Sequence, residues 1–198
     1  MNESADRLRR AARFVALANF AYFGVEFAVA TTIGSVSLFA DSVDFLEDTA
    51  INVLVLVGLG WSAVARSRLG TVLAGVLLVP GIATLWSAWS AWHATGAPAP
   101  MPLTLTGLGA LTVNATCAFV LARVRHVEGS LVKAAYLSAR NDTIANVAII
   151  VAGALTALTA SRWPDLVVGL GILLMNLDAA REVFEAARAE RDVAGPVP

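Results

Sequence analysis

The chain has 198 residues, 58% of them hydrophobic and only 15% charged, with a net charge of −1 and a mean hydropathy of +0.72. A soluble domain carries closer to ~25% charged residues, so this is not the composition of an ordinary soluble enzyme. The near-neutral balance leaves no bulk basic surface for nucleic acid. The charges cluster at a few places and leave long apolar runs between them, the pattern of a polytopic membrane protein whose partners include membrane lipids.

A hydrocarbon core ~30 Å thick needs ~20 apolar residues of helix. Six segments meet that need in chain order: 13–32, 37–61, 69–92, 103–122, 134–160 and 165–186. The expected fold is an all-α membrane protein, six transmembrane helices in a single bundle. Residues 1–12 are expected to form a cytoplasmic N-terminal segment, 13–186 the six-helix domain, and 187–198 a short cytoplasmic tail.

The first apolar run starts at Phe14, behind Arg7, Arg9, Arg10 and Arg13. It lacks a small-residue cleavage site and further spans follow, so it is read as a retained anchor rather than a signal peptide. The breaks between spans are short, and the third is Pro-rich around Pro98, Pro100 and Pro102. Pro80 falls inside the third span, where a kink is tolerated. Trp86, Trp89 and Trp92, followed by His93, are expected to lie in an interfacial aromatic belt. The single Cys117 lies in an apolar run, which excludes an intrachain disulfide and a Cys metal cluster.

Orientation follows from Lys and Arg. Arg7, Arg9, Arg10 and Arg13 precede span one; Arg66 and Arg68 follow span two. Arg123, Arg125 and Lys133 follow span four, and Arg181, Arg188 and Arg191 end or follow span six. These four regions share a side, and the opposite loops contain only Arg162. Both termini are therefore expected in the cytoplasm.

Span two carries Asp41, Asp44, Glu47 and Asp48. An aspartate at a helix centre in a bilayer costs at least ~2.5 kcal/mol, and such groups usually face a bundle interior or an ion pathway. At 100° per residue Asp41, Asp44 and Asp48 share an arc of ~60°, with Glu47 on its flank. Asp44 and Asp48 are one turn apart and so neighbours. Two adjacent carboxylates in low dielectric cannot both ionise cheaply, so a proton or a cation belongs between them.

A second polar group, Ser138-Ala139-Arg140-Asn141-Asp142, lies in span five, with Ser138 and Asp142 one turn apart. Asp48-Thr49-Ala50-Ile51-Asn52 is echoed by Asp142-Thr143-Ile144-Ala145-Asn146. Span two runs inward and span five outward, an arrangement like the inverted repeats that place transporter sites near the midplane. Asp44 and Asp142 lie at roughly 10–12 Å from opposite faces, which brings both near the middle of the bilayer.

Asn19 and Glu26 in span one, with Gly34-Ser35-Val36-Ser37-Leu38-Phe39-Ala40-Asp41-Ser42-Val43-Asp44-Phe45-Leu46-Glu47-Asp48, resemble the first two spans of the cation diffusion facilitators. Ala135-Tyr136-Leu137-Ser138 through Asp142 is similar to the fifth-span motif of that family, and Trp163-Pro164-Asp165 to the opening of its sixth span. The resemblance covers nearly the whole chain. It implies a proton-coupled exporter of divalent metals, usually a homodimer, with a transport site on the second and fifth spans.

Carried over residue by residue, the resemblance makes Asp44, Asp48 and Asp142 metal ligands. Ser138 stands where the family often has His, and Asn141 is an alternative fourth donor. Three departures stand out: Ser138 for His, a short loop between spans four and five without a His-rich tract, and no cytoplasmic domain after span six. The chain thus resembles a shortened branch of the family. The implied cargo is a divalent ion (Zn, Co, Ni, Mn or Fe) exchanged for protons, with no other cofactor, in a bacterial inner membrane. An oxygen-only set weakens the case for zinc in particular.

The rival reading of the three aspartates is a buried ion pair with Arg140, but one arginine cannot neutralise so many acids. Arg140 is then a counter-charge, pairing with Glu47 or snorkelling to the interface. Asp41 is expected on the access path or at the helix start, Glu26 and Asn19 as packing or supporting polar groups, and Asp178 near the cytoplasmic mouth. His93 and His126 are expected at the membrane surfaces. A metal-dependent lipid-modifying enzyme is the competing class, but Phe45 stands where such sites need glycine. A passive cation channel is the third.

Overall fold

The structure is a computed structural model that describes residues 3–58, 82–94, 96–124 and 130–175, with 177 and 181. Every regular element among the described residues is an α-helix. They are α1 (Glu3–Ile33), α2 (Val36–Gly58), α3 (82–93), α4 (Pro100–Ala122), α5 (Ser130–Thr159) and α6 (Trp163–Met175). The all-helical membrane bundle expected from hydropathy is therefore what forms. The break at Arg66 to Arg68, Pro80, His126, Asp178 and the segment 187–198 lie outside the described residues.

Among the described residues three helices are long and apolar enough to cross a bilayer: Asp6–Ile33, Pro100–Ala122 and Asn141–Thr159. Helix α2 has the length, at 23 residues, but its four acids interrupt the apolar run. The surface confirms the solvent for which the bundle is built. Phe20, Leu85, Trp86, Leu158 and Leu174 are exposed, whereas Asn19, Glu26, Asp41, Asp48, Asn114, Asp142 and Asn146 are buried. A soluble fold hides the first group and wets the second; here the polar groups turn inward, as lipid on the outside requires.

Two boundaries move. Hydropathy starts span one at residue 13, but α1 begins at Glu3, because Leu8, Ala11, Ala12 and Val15 make one buried stripe beneath the exposed arginines. Most of the expected N-terminal segment 1–12 is thus the first turns of α1. Span four starts early as well: Pro100 and Pro102 sit in the first turn of α4, where a missing N–H costs nothing.

The turn between α1 and α2 is coded locally. Gly34 has φ +66°, the left-handed conformation that ends a helix, and the Ser35 amide reaches back to the Ala30 carbonyl at 3.0 Å, as in a Schellman cap. Ser35 then caps α2, its Oγ accepting the Leu38 amide at 3.2 Å.

Helices α1, α2, α4 and α5 pack around one another, with α1 against α2 and α4, and α5 against α4 and α2. Their contacts form two apolar layers. One joins Leu8, Val15, Ile51, Val55, Cys117, Leu121 and Ala139; the other joins Ala30, Leu38, Ala40, Leu103, Ala145, Ile149 and Ile172. Along each helix the buried polar residues fall largely between these layers.

Candidate functional site

The polar layer is ordered by two hydrogen-bonded chains, each ending on an acid of α2. In the first, Cys117 of α4 donates to Asn19 Oδ1 of α1 at 3.6 Å, and Asn19 Nδ2 donates to Asp48 Oδ2 at 3.2 Å. In the second, Asn114 of α4 donates to Asn146 Oδ1 of α5 at 3.0 Å, and Asn146 Nδ2 donates to Asp41 Oδ2 at 2.5 Å. Each amide side chain offers one acceptor and two donors, so Asn19 and Asn146 act as one-way connectors between helices. All four central helices are tied together through buried polar atoms.

Asp44 and Asp48 of α2 and Asp142 of α5 all lie in this polar layer, Asp48 being bonded to α1. Asp142 of α5 lies within electrostatic reach of the Asp44 carboxyl, so Asp44 has an acidic neighbour on the other helix as well as on its own. Asp48 and Asp142 are buried and Asp44 is half-buried. Among the described residues no three His, Cys, Asp or Glu side chains stand close enough to enclose a metal ion. The three acids share an interface without closing into a cluster.

The other expected donors fare differently. Ser138 lies on α5 one turn before Asp142 and is described by its backbone alone, as is Arg140. Asn141 is exposed on the outer face of α5, whereas Asp142 beside it is buried. Asp41, expected on an access path or at the helix start, is fully buried and bonded to α5. Glu26 is also fully buried, and its carboxyl lies within hydrogen-bonding reach of that of Asp41. Glu47 is buried too.

Hydropathy missed Asn114 altogether, and Asn146 entered only through the sequence echo. The echo pairs Asn52 with Asn146, yet the two behave differently. Asn52 Nδ2 donates back to the Asp48 carbonyl of its own helix at 2.8 Å, while Asn146 crosses to α2. A single amide in the middle of an apolar span was the available signal for Asn114, because such a group is costly in lipid unless it finds a partner.

Fold and site together define a class: a polytopic membrane bundle whose interior holds carboxylates. The description of the cation efflux transmembrane domain matches residues 12–190, and the chain belongs to that family of integral membrane metal-cation transporters. A comparison with curated proteins finds no match.

Proposed function

We propose that the protein is a proton-coupled exporter of divalent transition metals, with its transport site between α2 and α5. The observation that supports this best is the approach of Asp44 to Asp142 across that interface, with Asp48 one turn away, inside a bundle of the cation efflux family. Three carboxylates on two helices give an oxygen-rich set that accepts a divalent ion once the helices draw together. Ser138, one turn before Asp142, or a water supplies the next donor. The exposed Asn141 is left outside the set. Oxygen donors suit Mn, Fe, Co and Ni at least as well as Zn.

In this reading the ion enters from the cytoplasm, where both termini lie, and displaces protons from the three acids. The two charge states of the site are alternatives because neighbouring carboxylates in low dielectric are not all ionised together without a cation. Release on the far side of a bacterial inner membrane follows reprotonation, and the working unit is a homodimer. The test is metal-driven proton flux in proteoliposomes. Asp48→Ala and Asp142→Ala each abolish exchange; undiminished flux in both variants would refute the assignment.

A further inference from the structure

We propose that Glu26 and Asp41 form a second cation site, a buried carboxyl pair that shares one proton and is separate from Asp44, Asp48 and Asp142. The pair joins α1 to α2, both side chains are fully buried, and their carboxyls lie within hydrogen-bonding reach of each other. Neither oxygen of Glu26 nor Oδ1 of Asp41 has a hydrogen-bond partner among the described residues. Three acceptor oxygens thus stand together, and among the described residues no donor reaches them. Buried polar atoms are almost always satisfied, and two bare carboxylates at this separation would repel strongly.

Among the described residues the nearby donors point elsewhere. Asn146 Nδ2 of α5 donates to the other oxygen of Asp41 at 2.5 Å. The Tyr22 hydroxyl of α1, which faces both acids, donates to the Thr106 carbonyl of α4 at 2.6 Å. Among the described residues, the other charged groups that act on the pair, Asp44 and Asp48 of α2, are themselves acids. A proton held between Glu26 and Asp41 supplies the missing donor and removes one negative charge, as in other sites where two carboxyls share a proton. The pair stands beside the transport residues on the same helix, so it is placed to carry a counter-ion. That last role rests on the antiport reading above; the shared proton does not.

The test uses the full chain in lipid nanodiscs, with Glu26→Gln, Asp41→Asn and the double variant. An amide at either position donates to the remaining carboxylate, so each single variant keeps the contact, and in the double variant amide pairs with amide. Infrared spectroscopy reads the carbonyl stretch of a protonated carboxyl. With manganese bound to hold Asp44, Asp48 and Asp142 ionised, wild type shows such a band at neutral pH, and it is lost in both single variants. A band unchanged by both substitutions, or no band in wild type, overturns the proposal, and so does a band that sodium removes. In proteoliposomes both single variants still bind the metal but lose proton movement relative to metal flux. Proton movement equal to wild type overturns the counter-ion role. Should wild type show the band but no metal-driven proton flux, the antiport reading falls and the proton site stands.

Discussion

Asp165, near the head of α6, accepts the hydroxyl of Ser35 at 2.6 Å across 130 positions of sequence. The same carboxylate accepts the Val36 amide at 2.8 Å, the Ser37 amide at 3.2 Å and the Ser37 hydroxyl at 2.5 Å. The first amides of a helix have no intrahelical partner and carry its positive end. Asp165 therefore caps a helix to which it does not belong. It fixes the N-terminal end of α2 against α6 and so sets the height of every acid further along α2. The neighbouring Arg162 binds the Ala91 carbonyl, and Trp163 meets Trp92 edge-on at 5.1 Å, tying α3 to the same corner.

Asp165→Ala should therefore destabilise the bundle well beyond a surface change. Loss of a helix cap costs about 0.5–2 kcal/mol, and each buried donor left without its acceptor adds about 1–3 kcal/mol. The expected result is a clear drop in the melting temperature of the detergent-solubilised protein, with Ser35→Ala intermediate. A melting temperature equal to that of wild type would show that the cap carries no load.

Asn19 holds Asp48 through a single hydrogen bond and is itself held by Cys117. A group that orients a metal ligand usually costs 10–100-fold in affinity when removed. Asn19→Leu should weaken metal binding by about that much, roughly 10–100-fold, while leaving the helices in place. Isothermal titration with manganese, cobalt and zinc measures it. Unchanged affinity for all three would mean that Asp48 does not need Asn19 or is not a ligand.

How much of this was legible depends on what each signal measures. Hydropathy found the spans because lipid punishes every exposed polar group alike. It misplaced the start of α1 because Arg9 and Arg10 end an apolar run without ending a helix, although the Leu8, Ala11, Ala12 and Val15 spacing was there to be seen. The acidic face of α2 was visible from its 100° arithmetic. The partner of each acid was not, because Asn19 reaches Asp48 from α1 and Asn146 reaches Asp41 from α5, with Asn114 of α4 behind it, and helical periodicity says nothing about which helices touch. Asp165 was noticed only as part of a motif; that it caps α2 depends on how α6 lies beside the Gly34 turn.

The relay from Asn114 through Asn146 to Asp41 makes a prediction about coupling. Asn146→Leu removes the donor to Asp41 and also strands the Asn114 amide. Asn114→Leu removes only the outer link. Asn146→Leu should be the more damaging, and once it is made, adding Asn114→Leu should cost little. Residues in one hydrogen-bond network typically couple by about 0.5–3 kcal/mol. Thermal or denaturant unfolding of the two single variants and the double gives the cycle; simple additivity would argue against a connected relay.

Helix α6 contains its own control experiment. A Cβ added at Gly169 would stand 2.7 Å from the Ser37 nitrogen, the Val36 carbonyl carbon and a Val36 methyl group, whereas one added at Gly171 would meet nothing within 4 Å. Both glycines lie in the same helix, so both gain alike from the helix preference for alanine, about 0.8–1 kcal/mol. Gly171→Ala should therefore be neutral or slightly stabilising. Gly169→Ala presses on backbone, which cannot swing aside as a long side chain would, and overpacking of this kind costs about 1–3 kcal/mol. It should lower the melting temperature and also loosen the Asp165 cap, which sits on the same two residues of α2. Combining Gly169→Ala with Asp165→Ala should then cost less than the sum of the two, because the first substitution already moves α6 away from Val36 and Ser37. Full additivity would mean that helix approach and cap are independent, and that the close contact at Gly169 does not position α2.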